Sequence, residues 1–193
     1  MQMLIIGLDG GDRQIINAMD MPRLRSLLDS GRSVTLTEDL WTRGWAETLT
    51  GAPGTTMHGF YMKPKCDGTR TFIESFNGKD YDNPDLDPLW SRLNRAGKKI
   101  GFMNVPTTSP VPEVDGFIVG GAGGGRGAGS GIDPKTCWPR EVAQKLEASD
   151  YMFDTRLGQV EVKSHDAFFD RLKFMLEKRT DVYLTLCKDY GVD

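Results

Sequence analysis

The chain has 193 residues, of which 38% are hydrophobic and 26% charged, with a formal net charge of −3. A chain of this length hides about 70% of its unfolded surface on folding, enough for one core without disulfide or metal staples. The balance describes a mildly acidic globular chain; it excludes collagen-like, coiled-coil and disordered classes and argues against a nucleic-acid polymer held by bulk charge.

The longest apolar run, Met3 to Leu8, falls far short of the roughly 20 residues that cross a bilayer, so no membrane partner is expected. The start of the chain shows neither a charged leader nor a cleavage site. Cys66, Cys137 and Cys187 are an odd set without CxxC spacing, which fits ordinary thiols in a reducing compartment and a cytoplasmic location.

The run Met3-Leu4-Ile5-Ile6-Gly7-Leu8 stops at Asp9-Gly10-Gly11-Asp12, the pattern of a strand buried on both faces of a parallel sheet and released into a tight turn. Helical spacing follows, broken by Pro22, so one helix should end near Asp20 and a second should run from Pro22 to about Ser30, closed by Gly31. Ser33 to Thr37 is a short strand candidate. The second half of Leu40 to Gly51 reads as a helix capped by Gly51.

Residues 62–87 are polar and rich in turn formers, and read as an irregular surface insertion. Asp87-Pro88 marks a helix start, with an acid at the cap and proline at the first helical position, and Leu89, Trp90 and Leu93 give its buried face up to Gly97. Ile100 to Val105 and Gly116 to Val119 read as buried strands. Residues 120–136 form a second irregular stretch, with eight glycines between Gly120 and Gly131; a surface loop and an anion cradle carrying Arg126 are both compatible with it. Helices are expected from Pro139 to Ala148 and from Ser164 to Tyr190, stopped by Gly191, after which Val192-Asp193 should open another strand. This alternation predicts an α/β fold, a mostly parallel sheet with helices on both faces, in a single domain over residues 1–193.

Asp9 is the leading candidate for chemistry, because an acid at the carboxyl end of a buried parallel strand sits where open α/β sheets bind ligands. It reads equally as a turn former, whereas Asp12 should cap the next helix. The hydroxyl of Thr42 needs an activating metal to act as a nucleophile near neutral pH. His58 and His165 are the only histidines; both read first as structural or solvated, and no Ser-His-Asp or Cys-His set can be assembled from them.

Two ordered blocks then carry a resemblance. The first runs from Leu4-Ile5-Ile6-Gly7-Leu8-Asp9-Gly10 through Met21-Pro22-Arg23-Leu24 and Trp45-Ala46-Glu47-Thr48-Leu49-Thr50-Gly51 to His58-Gly59. The second runs from Leu89-Trp90-Ser91-Arg92-Leu93 to Asn104-Val105-Pro106-Thr107-Thr108-Ser109-Pro110 and Val114-Asp115-Gly116-Phe117. In this order they resemble the type I phosphodiesterase and nucleotide pyrophosphatase branch of the alkaline phosphatase superfamily.

The resemblance implies an alkaline-phosphatase-like fold lacking its carboxyl-terminal portion, and a metal-dependent phosphodiesterase or phosphohydrolase acting on phosphate esters or nucleotides. It implies two divalent cations, zinc in the first place with manganese or magnesium as alternatives, and Asp9 as a ligand of one. The family places its nucleophile four residues before the tryptophan matched by Trp45; gapless alignment lands on Trp41, whose indole cannot attack phosphorus, so a one-residue deletion makes Thr42 the nucleophile. Arg43 beside it is the substrate-binding candidate. The remaining metal ligands of the family have no match here and are expected from a complementary chain or a lost segment. The alternative is a catalytically inactive binding or assembly module that retains the fold.

Overall fold

The computed structural model describes residues 3–35, 44–53, 56, 63–64, 68–69, 72–74, 76–121, 132–154 and 164–192. The chain divides into two units, Met1–Glu38 and Asp39–Asp193.

The first unit holds α1 (Arg13–Ala18) and α2 (Pro22–Ser30). Asp12 caps α1 as expected, its Oδ1 accepting the Gln14 and Ile15 amides at 2.7 and 3.1 Å, and Pro22 opens α2 at its first turn. The expected strand over Met3 to Leu8 does not form: Met3, Leu4, Ile5, Ile6 and Leu8 lie outside any ladder and are between 54% and 68% exposed. A continuous apolar run reads the same in sequence whether or not a neighbouring strand pairs with it. Among the described residues none pairs with this one. Ser33 to Thr35 likewise form no strand, and the rest of that candidate lies outside the described residues.

The second unit begins with α3 (Gly44–Thr50), closed by Gly51 at φ +68°. A short antiparallel pair follows, β1 (Lys63–Pro64) with β2 (Phe72–Glu74). Next come a 3-10 turn at Gly78–Asp82 and α4 (Leu89–Arg95). Then β3 (Ile100–Val105), β4 (Gly116–Gly120) and β5 (Cys137–Trp138) form one sheet in that order. The chain continues into α5 (Val142–Ala148) and the long α6 (His165–Tyr190). Strands β3 and β4 pair in parallel from Ile100 opposite Gly116 to Val105 opposite Gly120, and β5 joins β4 antiparallel. The architecture is therefore mixed α/β, built on a small three-stranded sheet with one parallel pair. Among the described residues no helix is long and apolar enough to cross a membrane.

Strand side chains alternate between faces, and each face of the sheet carries its own core. Phe117 and Val119 of β4 pack with Val142, Ala143 and Leu146 of α5 and with Val182 and Leu186 of α6. Ile100 packs with Ala46, Leu49, Phe76, Tyr81, Leu86 and Trp90, and Phe102 joins that second core. Within residues 62–87 the described stretch from Phe76 onward departs from the expected surface insertion: Phe76, Tyr81 and Leu86 are buried. Polar neighbours masked these widely spaced core residues, which follow neither helical nor strand periodicity.

Two helix ends also differ from expectation. Pro88, not Asp87, occupies the cap of α4, and the Asp87 carboxylate instead takes Arg95 and Arg92 at 2.7 and 3.0 Å; those bonds, Arg95's first, hold its pKa below the ordinary carboxylate value. Val192 starts no strand. Gly191 turns left-handed at φ +63°, the Val192 amide donates to the Cys187 carbonyl at 2.8 Å, and Val192 folds back onto the core, as in a Schellman ending.

Leu186 is 1% exposed, so Leu186→Ala should cost about 2–5 kcal/mol, read as a lower urea midpoint at unchanged slope. Gly116 sits at φ +127°, and a Cβ there would lie 1.9 Å from the Ile100 carbonyl oxygen. Gly116→Ala should therefore separate β3 from β4 and abolish the cooperative melt.

Candidate functional site at the carboxyl edge of the sheet

Because β3 and β4 run parallel, their carboxyl ends share one edge, the place where open α/β sheets receive ligands. The register shifts between Met103 and Val105, and the displaced residue, Asn104, adopts φ +57°. Asparagine is among the residues that visit the left-handed region most readily. Three positions on, Thr107 stands at φ +71°, where a β-branched residue is an outlier costing on the order of 1–3 kcal/mol.

Side-chain bonding holds this turn. The Thr107 hydroxyl donates to the Pro106 carbonyl at 2.5 Å. A hydroxyl has a single proton, so the 2.7 Å contact with Tyr81 has the tyrosine as donor. Thr108 Oγ1 donates to the Val105 carbonyl at 2.7 Å and accepts the Gly121 amide at 3.1 Å. Both threonines are buried. Gly121 approaches so closely that a Cβ would fall 2.3 Å from the Val105 carbonyl oxygen.

Asn104 is fixed from the other side. The Tyr151 hydroxyl donates to Asn104 Oδ1 at 2.6 Å. Arg179 of α6 donates through Nε to the Met152 carbonyl at 3.2 Å and through Nη2 to the Phe153 carbonyl, pinning the segment that carries Tyr151. Burial pushes the Tyr151 phenol up to about 12 against the opposing pull of the Arg179 charge. Burial likewise takes Tyr81 to about 12 and the Cys137 thiol to about 11. These three groups stay neutral near pH 7, so they serve as hydrogen-bond donors and not as activated nucleophiles.

The residues singled out in the sequence are placed elsewhere. Asp9 lies exposed in the turn closed by the Gly11 amide on the Leu8 carbonyl at 3.2 Å, and the neighbouring Asp12 carboxylate is engaged with helix amides. Thr42, Arg43 and His58 lie outside the described residues, as does the expected cradle around Arg126. His165 is the exposed first residue of α6. Among the described residues no group of three His, Cys, Asp or Glu side chains could hold a metal ion, so they do not fit a two-cation centre, which needs several protein ligands. Asn104, Thr107, Tyr151 and Arg179 were not singled out by sequence reasoning. Asn104 and Thr107 belong to the second resemblance block, which assigned them no role, and an asparagine two residues before proline at a strand end otherwise marks only a turn.

Comparison with protein-family models, with curated proteins and with solved structures found no match.

The raised tyrosines fix a direction in pH. The phenols ionise near 10 in the unfolded chain and about two units higher at Tyr81 and Tyr151 in the folded one. Their stabilisation is therefore fully present below pH 10 and lost as pH rises towards 12. Absorbance at 295 nm should show these two phenols un-ionised at pH 10.5 in the folded chain, and chemical stability should fall between pH 10 and 12. Tyr81→Phe and Tyr151→Phe should each shrink that fall.

Proposed function

We propose that this chain is the amino-terminal part of a metal-dependent phosphodiesterase or phosphohydrolase of the nucleotide pyrophosphatase type, working in the cytoplasm on phosphate esters or nucleotides. The observation that carries the reading is the ordered set of motifs from Leu4-Ile5-Ile6-Gly7-Leu8-Asp9-Gly10 to Val114-Asp115-Gly116-Phe117. The parallel pairing of Ile100–Val105 with Gly116–Gly120 supports it, since two segments of the second motif block become neighbouring strands of an α/β sheet. In this reading the larger sheet is alkaline-phosphatase-like, Thr42 supplies the attacking hydroxyl, Arg43 meets the substrate, and Asp9 is one carboxylate of a site for two divalent cations, zinc first.

The other ligands come from polypeptide beyond these residues, on a complementary chain or a further segment. Large apolar side chains left exposed at Met3 to Leu8 and at Phe169, Leu176 and Leu184 of α6 support a fold that more polypeptide completes. A second reading, an inactive binding or assembly module, draws on the lack of a three-ligand group among the described residues.

One carboxylate and one hydroxyl do not hold two divalent ions against water. The 193-residue chain alone should therefore bind zinc weakly by isothermal titration and hydrolyse bis(p-nitrophenyl) phosphate at the background rate. Tight stoichiometric zinc with turnover would mean that this chain holds ligands beyond Asp9 and Thr42, with His58 and His165 the first to test. Once completed by the segment carrying the remaining ligands, Thr42→Ala should abolish turnover while folding persists, and Asp9→Asn should mainly lower metal affinity. An unchanged rate in Thr42→Ala would sink the nucleophile assignment, and a completed protein with no turnover at all would favour the inactive module.

A further inference from the structure

The carboxyl edge of β3 holds a chain of groups with a cation at one end and an unused donor at the other. Arg179 donates to the carbonyls of Met152 and Phe153 and also reaches the Tyr151 hydroxyl. Carbonyls are neutral, and among the described residues no carboxylate forms an ion pair with this guanidinium. Its charge acts on the Tyr151 hydroxyl, which donates to Asn104 Oδ1 at 2.6 Å. With Oδ1 engaged, the planar amide turns its Nδ2 away from Tyr151. Nδ2 donates to no described residue and is not sealed from solvent.

Two physical consequences follow. A hydrogen bond accepted at Oδ1 polarises the amide and strengthens Nδ2 as a donor, and the nearby cation adds to the effect. The same cation disfavours a positively charged ligand and favours an anion at Nδ2. The hydroxyls of Thr107 and Thr108 at this edge are committed to protein partners, whereas the Asn104 amide keeps a donor for a ligand. Its left-handed backbone at φ +57° sets the side chain at the strand end, out of the β3 alternation.

We infer that Asn104 Nδ2 binds a non-bridging oxygen of a phosphate group at the carboxyl edge of β3, with Arg179 selecting for negative charge and Tyr151 holding the amide in orientation. The preference for an anion stands on Arg179, Tyr151 and Asn104 alone; the choice of phosphate rests on the proposed phosphoester function.

The test is a titration of the full 193-residue chain, 15N-labelled, with inorganic phosphate, p-nitrophenyl phosphate and acetate, followed at the Asn104 side-chain amide signals. Phosphate should shift those signals saturably and acetate should not. An ester that binds more tightly than inorganic phosphate assigns the site to esters; equal binding assigns it to the phosphate group itself. Asn104→Asp keeps a residue that tolerates the left-handed conformation but removes both donors, and should weaken phosphate binding about tenfold or more. Tyr151→Phe, which keeps the packing and frees the amide, should weaken it about threefold with a cooperative melt retained.

A folded Asn104→Asp chain that binds phosphate as the parent does, or a parent whose Asn104 signals do not move, overturns the inference. Acetate bound as tightly as phosphate overturns the phosphate assignment. Should Asn104→Asp not fold, unchanged binding in Tyr151→Phe overturns it instead. Failure of the phosphodiesterase reading shows separately, as a completed protein that does not turn over diester while the Asn104 shifts and their loss in the variants persist.

Discussion

The parallel approach of β3 and β4 is the constraint on which the second unit depends. Parallel neighbours need a crossover, usually a helix, and here it is made without one by residues 106–115. That crossover supplies Thr107 and Thr108 to the carboxyl edge and Val114 to the core on one face. Its Val114 carbonyl takes the Trp138 indole N–H at 2.9 Å, tying the connection to β5. The pairing demands near contact of the two backbones at Gly116 and lets the Phe117 ring lie over Gly101, where a Cβ would meet the ring at 2.6 Å. Sheet, crossover and site edge are thus consequences of one backbone approach that side chains on those glycines would forbid.

The polar edge and the apolar core are continuous with one another. Phe76, Tyr81, Trp90 and Phe102 form a series of edge-to-face contacts with centroids 4.9, 4.7 and 6.0 Å apart, each worth about 0.5–1.5 kcal/mol beyond its buried area. Tyr81 belongs to this series and at its other end donates to Thr107. The strained threonine is therefore held by a phenol whose position is set by aromatic packing. Tyr151 does the same on the opposite face, with its ring against Phe153 at 5.1 Å and its hydroxyl on Asn104. Strain at a strand end persists only where its surroundings over-determine it, and two buried tyrosines from two cores meet that requirement.

How much of this was legible in the sequence depended on whether the determining interaction was local. Pro22 and Gly31 bounded α2, Ser164 and Gly191 bounded α6, and Ile100 to Val105 was read correctly as a strand, since caps, breakers and short apolar runs are written within a few residues. Met3 to Leu8 has the same kind of apolar run as β3 and no ladder among the described residues, which shows that composition supplies strand potential while a partner decides its use. Asp87 was a plausible cap by sequence, but two arginines on the helix it precedes compete for its carboxylate. For the site, the resemblance pointed to Asp9 and Thr42, one exposed and the other outside the described residues. Asn104, Thr107, Tyr151 and Arg179 are brought together by tertiary contacts such as Tyr151 on Asn104 and Arg179 on the carbonyls of Met152 and Phe153, and no spacing rule reaches that far.

The uneven burial of α6 divides it into a lightly held and a firmly held stretch. Its buried residues are Met175, Val182 and Leu186, whereas Phe169 and Phe174 in the first turns are exposed. The far end is further fastened by Lys145 on Asp189 at 2.6 Å and by Lys99 on the Tyr190 carbonyl at 3.2 Å. A helix anchored at one end opens from the other, so amide exchange along α6 should be faster before Met175 than from Met175 onward. Arg179 stands one turn inside the slow side, so the first turns can exchange and re-form repeatedly without loosening the carbonyls that keep Tyr151 in place.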